Sequence, residues 1–445
     1  MNILVVDSDT IGLDFALRCA QAGHSVRWFR FAKWMLSGTT KKPRDGDGFK
    51  EFQIVEDWRP HMQWARDGLV FTTGNWRFIQ ELDRYREYGY PIVSPTTASA
   101  RLEIDRGAGM QAMRAAGIDV PQYYEFDGLA AAEKFARRSD RAWVFKPLGD
   151  ETDKSLTYVS HDPGDLVGWL QRQMKSGKEV KSCMLQEKVD LVSEIGVSGW
   201  MGPEGFLPDK WQVCVEHKKL MDGEIGPATG EQGTVCQYVE ADKLAEEMLV
   251  PLEPVLRTLG HRGDFAVGAG VDRAGKAWPF EFTARAGWPA FFIQMSSHRG
   301  DPAKWMKDLL LGKDSLRVSY DVAIGVVCTQ PCYPYENSPS DKAIGNPIRG
   351  IEGNEENLHL VSVMRGKGPV LRDGKIAEDM IYQTAGEYVL CATGLGKTIE
   401  KARSKVYRVI DQVSWPDMMY RTDIGKKVED ALPSLHRFGY LKEMS

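Results

Sequence analysis

The sequence predicts a multidomain protein of mixed α/β and α+β class, and three observations carry that expectation. "NILVV", "IGLDFALRCAQAGH" and "SVRWF" place a short apolar run, a helically spaced run ending at Gly23 and a second strand in succession. This is the β–α–β start of an open α/β domain, whose sites lie at strand C-terminal ends. "AWVFKPLGDETDKSLTYVS" reads as two strands around a polar loop, close to helical stretches, as in a small α+β lobe. "EIGVSGWM", "KWQVCVEHKK", "GDFAVGAGVD" and "AWPFEFTARAG" are strands broken by glycine turns. The 445 residues are too many for one core, so two to four domains are expected.

The elements follow in order. "GLVFTT", the helix-like "RFIQELDRYREYG" and "PIVSP" repeat the α/β pattern, and Pro95 closes the first domain near residue 98. "RGAGMQAMRAAGIDVPQYYEF" predicts a helix, a turn and a strand. "DLVGWLQRQMKSGK" predicts a helix and "SCMLQEKVD" the strand after it. "GVDRAGKAWPFEF" predicts a hairpin turning at Arg273-Ala274-Gly275-Lys276. A last α/β region starts near "YDVAIGVVCTQ" and contains "GEYVLCATGLG" and the helix "TIEKARSKVYRVIDQV".

Composition narrows the function classes. Hydrophobic residues make up 42% and charged residues 27%, an ordinary globular balance. A net charge of −5 supplies no field for nucleic acid. The seven cysteines are odd in number and scattered, which fits reduced thiols better than a disulfide framework. Cys328 and Cys332 are too isolated from other ligands to suggest zinc. No signal-peptide pattern and no apolar run of membrane-spanning length is present, so a cytoplasmic protein is expected.

Chemistry-bearing residues are thinly spread. In "EFTARAGWP", strand alternation turns Glu281, Thr283 and Arg285 to one face, where they could hold a metal-bound phosphate or form a solvated strand end. Lys146, Lys218 and Lys219 each read singly as surface lysines. "GPATGEQG" could wrap backbone N–H groups around an anion or be a connecting loop, and both readings stay open. "TGLGKT" lacks the spacing of a phosphate loop and reads as a turn.

The order of these signals is more specific than any one. Through "SPTTASARLE", "WVFKPLG", "LQEKVD", "EHKK" with "GPATGEQG", "GHRGDFAVGAGVDRAGK", "EFTARAGWP", "GEYVLCATGLGKTIEKARSKVY" and "YRTDIG", the chain resembles the phosphoribosylamine–glycine ligases of the ATP-grasp superfamily over almost its whole length. The resemblance implies an N-terminal α/β domain (1–98), an ATP-grasp core (99–118 and 187–318), a lid lobe (119–186) and a C-terminal domain (319–445). It implies ATP with Mg²⁺ or Mn²⁺ as cofactors, small-molecule amino acid and amine substrates, and a monomer or homodimer. It assigns Arg106, Lys146 and Lys154 to the ATP phosphates. Gln186, Glu187 and Val189 fall to the adenine hinge, Glu194 to the ribose, and Glu281 with Thr283 to the metal. Arg285 and Lys218 fall to catalysis, and Gly226, Thr229 and Gly230 to the acyl-transfer centre.

The chain departs from the family pattern at several points. Thr283 stands where an asparagine is usual, Trp288 and Ala290 where acids are usual, and Arg106 where a lysine is usual. In the N-terminal domain, Asp7, Asp9, Trp76 and Arg77 occupy the amine-substrate loops, and two carboxylates there repel a phosphate. Three readings follow. The chain is a carboxylate–amine ligase with an altered, nucleotide-like amine acceptor, a true phosphoribosylamine–glycine ligase, or a pseudoenzyme that binds nucleotide or a partner.

Overall fold

Five parallel strands open the computed structural model, which describes residues 1–31, 44–148, 157–177, 180–335 and 341–445. They are β1 (Asn2–Asp7), β2 (Ser25–Arg30), β3 (Gln53–Val55), β4 (Leu69–Thr72) and β5 (Ile92–Val93), in the order β3-β2-β1-β4-β5. "NILVV" is continuously apolar because β1 is central and nearly every one of its side chains is buried.

A second sheet has four strands: β6 (Tyr123–Phe126), β7 (Trp143–Pro147), β8 (Tyr158–Val159) and β9 (Cys183–Glu187), ordered β6-β9-β7-β8. Helices Leu129–Ala136 and Pro163–Lys175 cover it, and Leu129, Trp143, Phe145, Leu166 and Leu170 form its separate core. Lys154 lies outside the described residues.

The third sheet is antiparallel and has nine strands. It comprises β10 (Leu191–Gly202), β11 (Gly205–Phe206), β12 (Trp211–Met221), β13 (Ile225–Val239), β14 (Gly263–Asp272) and β15 (Ala277–Thr283). Beyond the short pair β16 (His298–Arg299) and β17 (Arg317–Val318), it continues through β18 (Val322–Thr329), β19 (Leu358–Leu360) and β22 (Tyr388–Gly396). β20 (Val363–Arg372) and β21 (Lys375–Thr384) form a separate ribbon. The β14–β15 hairpin turns where the sequence predicts, and Asp272 accepts from the backbone N–H groups of Ala274 and Lys276.

One core joins the first and third sheets. Phe71 on β4 stacks on Phe291 of helix Ala290–Ser297 with ring centres 5.5 Å apart, and Phe15 packs on Phe71 at 4.6 Å. Trp200 on β10 meets the far edge of Phe291. Large buried aromatics at one junction hold the N-terminal sheet against the long sheet.

"TGLGKT" is less a turn than the sequence suggests. Its first four residues finish β22, and Thr398 caps the helix Ile399–Ile410. Cβ atoms on Gly394 or Gly396 would stand 2.5 Å from helix backbone nitrogens, so these glycines allow the helix to lie close on the strand.

Candidate active site

Three cations converge on one carboxylate where the four-stranded lobe faces the long sheet. Lys146 ends β7, and its ammonium donates to Gln186 Oε1 on neighbouring β9 at 2.7 Å and to the Phe280 carbonyl on β15 at 3.3 Å. Burial pushes its pKa down to about 8, opposed by the charge of Glu281. Arg106 donates to the Pro147 carbonyl at 2.8 Å, and burial lowers its pKa as well. Lys218 on β12 lies 3.0 Å from Glu216 and 3.3 Å from Glu281. Glu216 first, then Glu281, hold its ammonium well above the ordinary range.

Lys218 reaches Glu281 across two intervening strands, and small residues line the row beside Glu281. Glu281 stands opposite Gly268 on β14, which stands opposite Gly196 on β10. Residues directly opposite share a face, so Gly268 leaves the place beside Glu281 without a side chain, while Cys214 of β12 covers Gly196. Glu194, exposed on β10, stands opposite Gly270 along the same strands and contributes to the charges at Lys146 and Lys218.

Helix geometry places two more groups. Helix Thr97–Ile104 ends and helix Arg106–Ala115 begins at Asp105, which is extended and caps the second helix through the Ala108 N–H. The break lets Glu103 and Arg106 point into the same region. Glu103 accepts from Asn75 Nδ2 and the Ala284 N–H, each at 2.7 Å, and pairs with Arg285 at 3.2 Å. The loop after β4 and the segment after β15 are thereby tied to one carboxylate. The sequence reading missed Glu103, although it lies in "SPTTASARLE". It also missed Glu216, whose signal was available: two residues from Lys218 on a strand, it shares that face.

The three residues that the family resemblance assigns to an adenine hinge lie together. Gln186 and Glu187 finish β9, and Val189 follows two residues on. The Glu187 N–H donates to the Gln122 carbonyl, and its carboxylate pairs with Arg141 at 2.8 Å. Thr283 ends β15 two residues after Glu281 on the same face. Among the described residues no group of three His, Cys, Asp or Glu could hold a metal ion by itself. A lone carboxylate with a neighbouring hydroxyl fits a Mg²⁺ that takes its remaining ligands from phosphates and water.

Two expectations are corrected. Asp7 is turned into the interior rather than onto the surface of its loop. It is fully buried and accepts from Thr73 Oγ1 (2.7 Å), the N–H groups of Asp9 and Gly12 (3.0 and 2.6 Å) and Trp28 Nε1 (3.0 Å). Four donors use its lone pairs, so it organises the loop after β1, and a Cβ on Gly12 would stand 2.9 Å from its oxygen. Asp9, part-buried, accepts from Ser8 Oγ. Gly226, Thr229 and Gly230 are not a plain connecting loop. They are part of strand β13, with Ala228 opposite Lys219, and Thr229 donates to the Lys218 carbonyl at 2.9 Å.

The remaining predicted residues occupy the end of the first sheet. Arg77 is exposed in the loop after β4, with its guanidinium 4.1 Å from the Phe31 ring centre and 5.7 Å from that of Trp76. Arg77, Phe31, Phe78 and Arg59 help line a recess of about 380 Å³. Trp288 braces two elements by donating from Nε1 to the Thr73 carbonyl and packing on Phe292.

Residues 323–427 match the family model described as Phosphoribosylglycinamide synthetase, C domain. This chain is similar to the phosphoribosylamine–glycine ligases. It is 25% identical over 366 residues to the one from Neisseria meningitidis serogroup B, covering 78% of this chain and 81% of the relative. The enzyme from Ralstonia nicotianae is 26% identical over 363 residues, with the same coverage. The fold is that of ATP-grasp ligases. The crystal structure of phosphoribosylamine–glycine ligase from Thermotoga maritima superposes with a TM-score of 0.68 at 18% identity, over 95% of this chain and all of that one. An ADP complex of N5-carboxyaminoimidazole ribonucleotide synthetase reaches 0.56 at 13% identity, over 92% and 96% of the two chains.

Proposed function

We propose that this chain is an ATP-dependent carboxylate–amine ligase whose amine acceptor has changed from phosphoribosylamine to a nucleotide-like amine. The convergence of Lys146, Arg106 and Lys218 on Glu281 carries this reading, because polyphosphate needs fixed cations and a carboxylate to share its metal. The similarity to phosphoribosylamine–glycine ligases supports an ATP-dependent ligase of the ATP-grasp type.

In this reading ATP lies between the four-stranded lobe, which acts as lid, and the long sheet. Gln186, Glu187 and Val189 meet adenine and Glu194 the ribose. Lys146, Arg106 and Lys154 bind phosphate oxygens. Glu281 with Thr283 would hold a divalent ion, which supplies charge neutralisation at the phosphates. The γ-phosphoryl group passes to a substrate carboxylate, and the amine attacks the resulting acylphosphate to form the amide, releasing phosphate. Arg285, oriented by Glu103, and Lys218 stabilise the charge on the transferring group. The exposed Arg77, seated over Phe31, supports the changed acceptor, since this loop offers a cation beside aromatic rings on which a base can stack.

Mg-ATP is expected to raise the melting midpoint, and an unchanged midpoint would count against an ATP site. ADP release should then be screened with amino acids and candidate amines. Ordinary turnover with glycine and phosphoribosylamine would sink the altered acceptor.

A further inference from the structure

The recess at the C-terminal ends of β2 and β3 combines an aromatic lining with an uncommitted cation. Phe29, Phe31, Ile54, Val55 and Phe78 make the lining apolar, and the volume of about 380 Å³ lies in the range of small-molecule sites. Phe78 meets Phe29 and Phe31 edge-on, with ring centres 5.4 and 6.1 Å apart. Such contacts fix the rings relative to one another, so little order is left to impose when a ligand enters.

Three arginines line the same recess, and two of them are committed. Arg30 pairs with Asp47 at 2.7 Å, and Arg59 with Glu81 at 2.6 Å and Asp57 at 2.9 Å. Arg77 has no carboxylate partner among the described residues. Rings hold it instead, with its guanidinium 4.1 Å from the Phe31 ring centre and 5.7 Å from that of Phe78. An aromatic ring positions a cation without neutralising it, so the N–H donors of Arg77 stay available to an anion. Glu56, directly after β3, also lines the recess and supplies an acceptor for an amino or hydroxyl substituent. The loop that carries Arg77 reaches the candidate active site as well. Asn75 donates to Glu103 at 2.7 Å, and Glu103 pairs with Arg285 at 3.2 Å. Asn75 and Arg77 are two residues apart, a span of about 7 Å at most.

We propose that this recess is the specificity pocket for the amine acceptor and takes an aromatic ring that carries an anionic group. The ring packs among the phenylalanines, and the anion, a phosphate or a carboxylate, meets Arg77. The inference rests on the ligase reading above and narrows its acceptor to molecules with both parts. A ring without the anion leaves Arg77 unpaired, and an anion without the ring leaves the apolar lining empty.

Calorimetric titration in saturating Mg-ADP, which occupies the nucleotide site, tests this. CMP and GMP carry the anion as phosphate, and 4-aminobenzoate carries it as carboxylate. Cytidine, guanosine and aniline lack the anion, while ribose 5-phosphate and acetate lack the ring. At least one of the first three should bind about tenfold more tightly than either of its halves, the size of one charge-assisted hydrogen bond. Arg77→Gln should weaken that ligand about tenfold and leave binding of the anion-free half unchanged. Phe31→Leu, at an unchanged melting midpoint, should reduce the preference over the ring-free half. Equal binding of a whole ligand and its halves overturns the proposal, as does unchanged affinity in both variants. Binding of none of the probes, with a midpoint raised by Mg-ADP, overturns it and leaves the nucleotide site standing. No binding and no midpoint shift overturn both.

Discussion

Lys146 shows how one residue changes meaning with its surroundings. In the sequence it is a lysine at a strand end, most often a solvated position. In the fold it is 8% exposed, with a pKa near 8. Below that pH it carries the charge that the proposed phosphate contact needs, and above it the charge is lost. Affinity for Mg-ADP is therefore expected to fall as pH rises through about 8, measured by calorimetric titration between pH 6.5 and 9.5, and Lys146→Arg should flatten the step. Glu103 makes a second residue-scale test. Glu103→Gln keeps the shape but removes the charge that orients Arg285, so kcat should fall about tenfold or more while the Mg-ATP midpoint shift persists. Loss of that shift would place Glu103 in nucleotide binding.

At the scale of elements, the β12–β13 hairpin carries Lys218, Thr229 and Glu231, and the C-terminal segment holds its tip. Arg421, 1% exposed, pairs with Asp423 and Glu224 at 2.8 Å and donates to the Lys219 carbonyl at 3.0 Å. The Gly223 N–H donates to Asp423, and the Gly425 N–H to His217 Nε2. "YRTDIG" is thus a clasp on the hairpin. Arg421→Met should destabilise the protein by about 1–3 kcal/mol in urea unfolding, because it leaves the Asp423 carboxylate and the Lys219 carbonyl without their donor. Amide exchange should speed up through residues 219–231. Uniform exchange across the chain would argue against a local clasp. Most strands and helices were legible because their periodicity is strong. β13 was not, because its glycines and threonine read as a loop until pairing with β12 straightens them.

The whole molecule depends on buried neutral histidines at the joints between its parts. His217 meets the C-terminal clasp, His261 hydrogen-bonds Ser99 on helix Thr97–Ile104, and His298 hydrogen-bonds Tyr238. Burial lowers the pKa of each to about 3. Their folded pKa values lie below the unfolded value near 6.5, so the unfolded chain binds more protons between those limits. Stability should therefore fall as pH drops from about 6.5 towards 3, read as urea midpoints at pH 7, 5.5 and 4.5. A midpoint that holds constant over that range would show that other groups offset the three histidines.

Sequence alone determined the class of the molecule and most of its strands, and it singled out the residues proposed to handle phosphate, because hydrophobic period and residue type are local properties. It also marked Glu281 and Arg285, since alternation on a strand fixes which side chains share a face. Tertiary structure decided which groups meet. Lys218 meets Glu281 across two strands, a helix break aims Glu103 and Arg106, and four donors hold Asp7 inside. Each depends on residues distant in the chain, and no local pattern encodes the dielectric or the company that folding imposes on a charge.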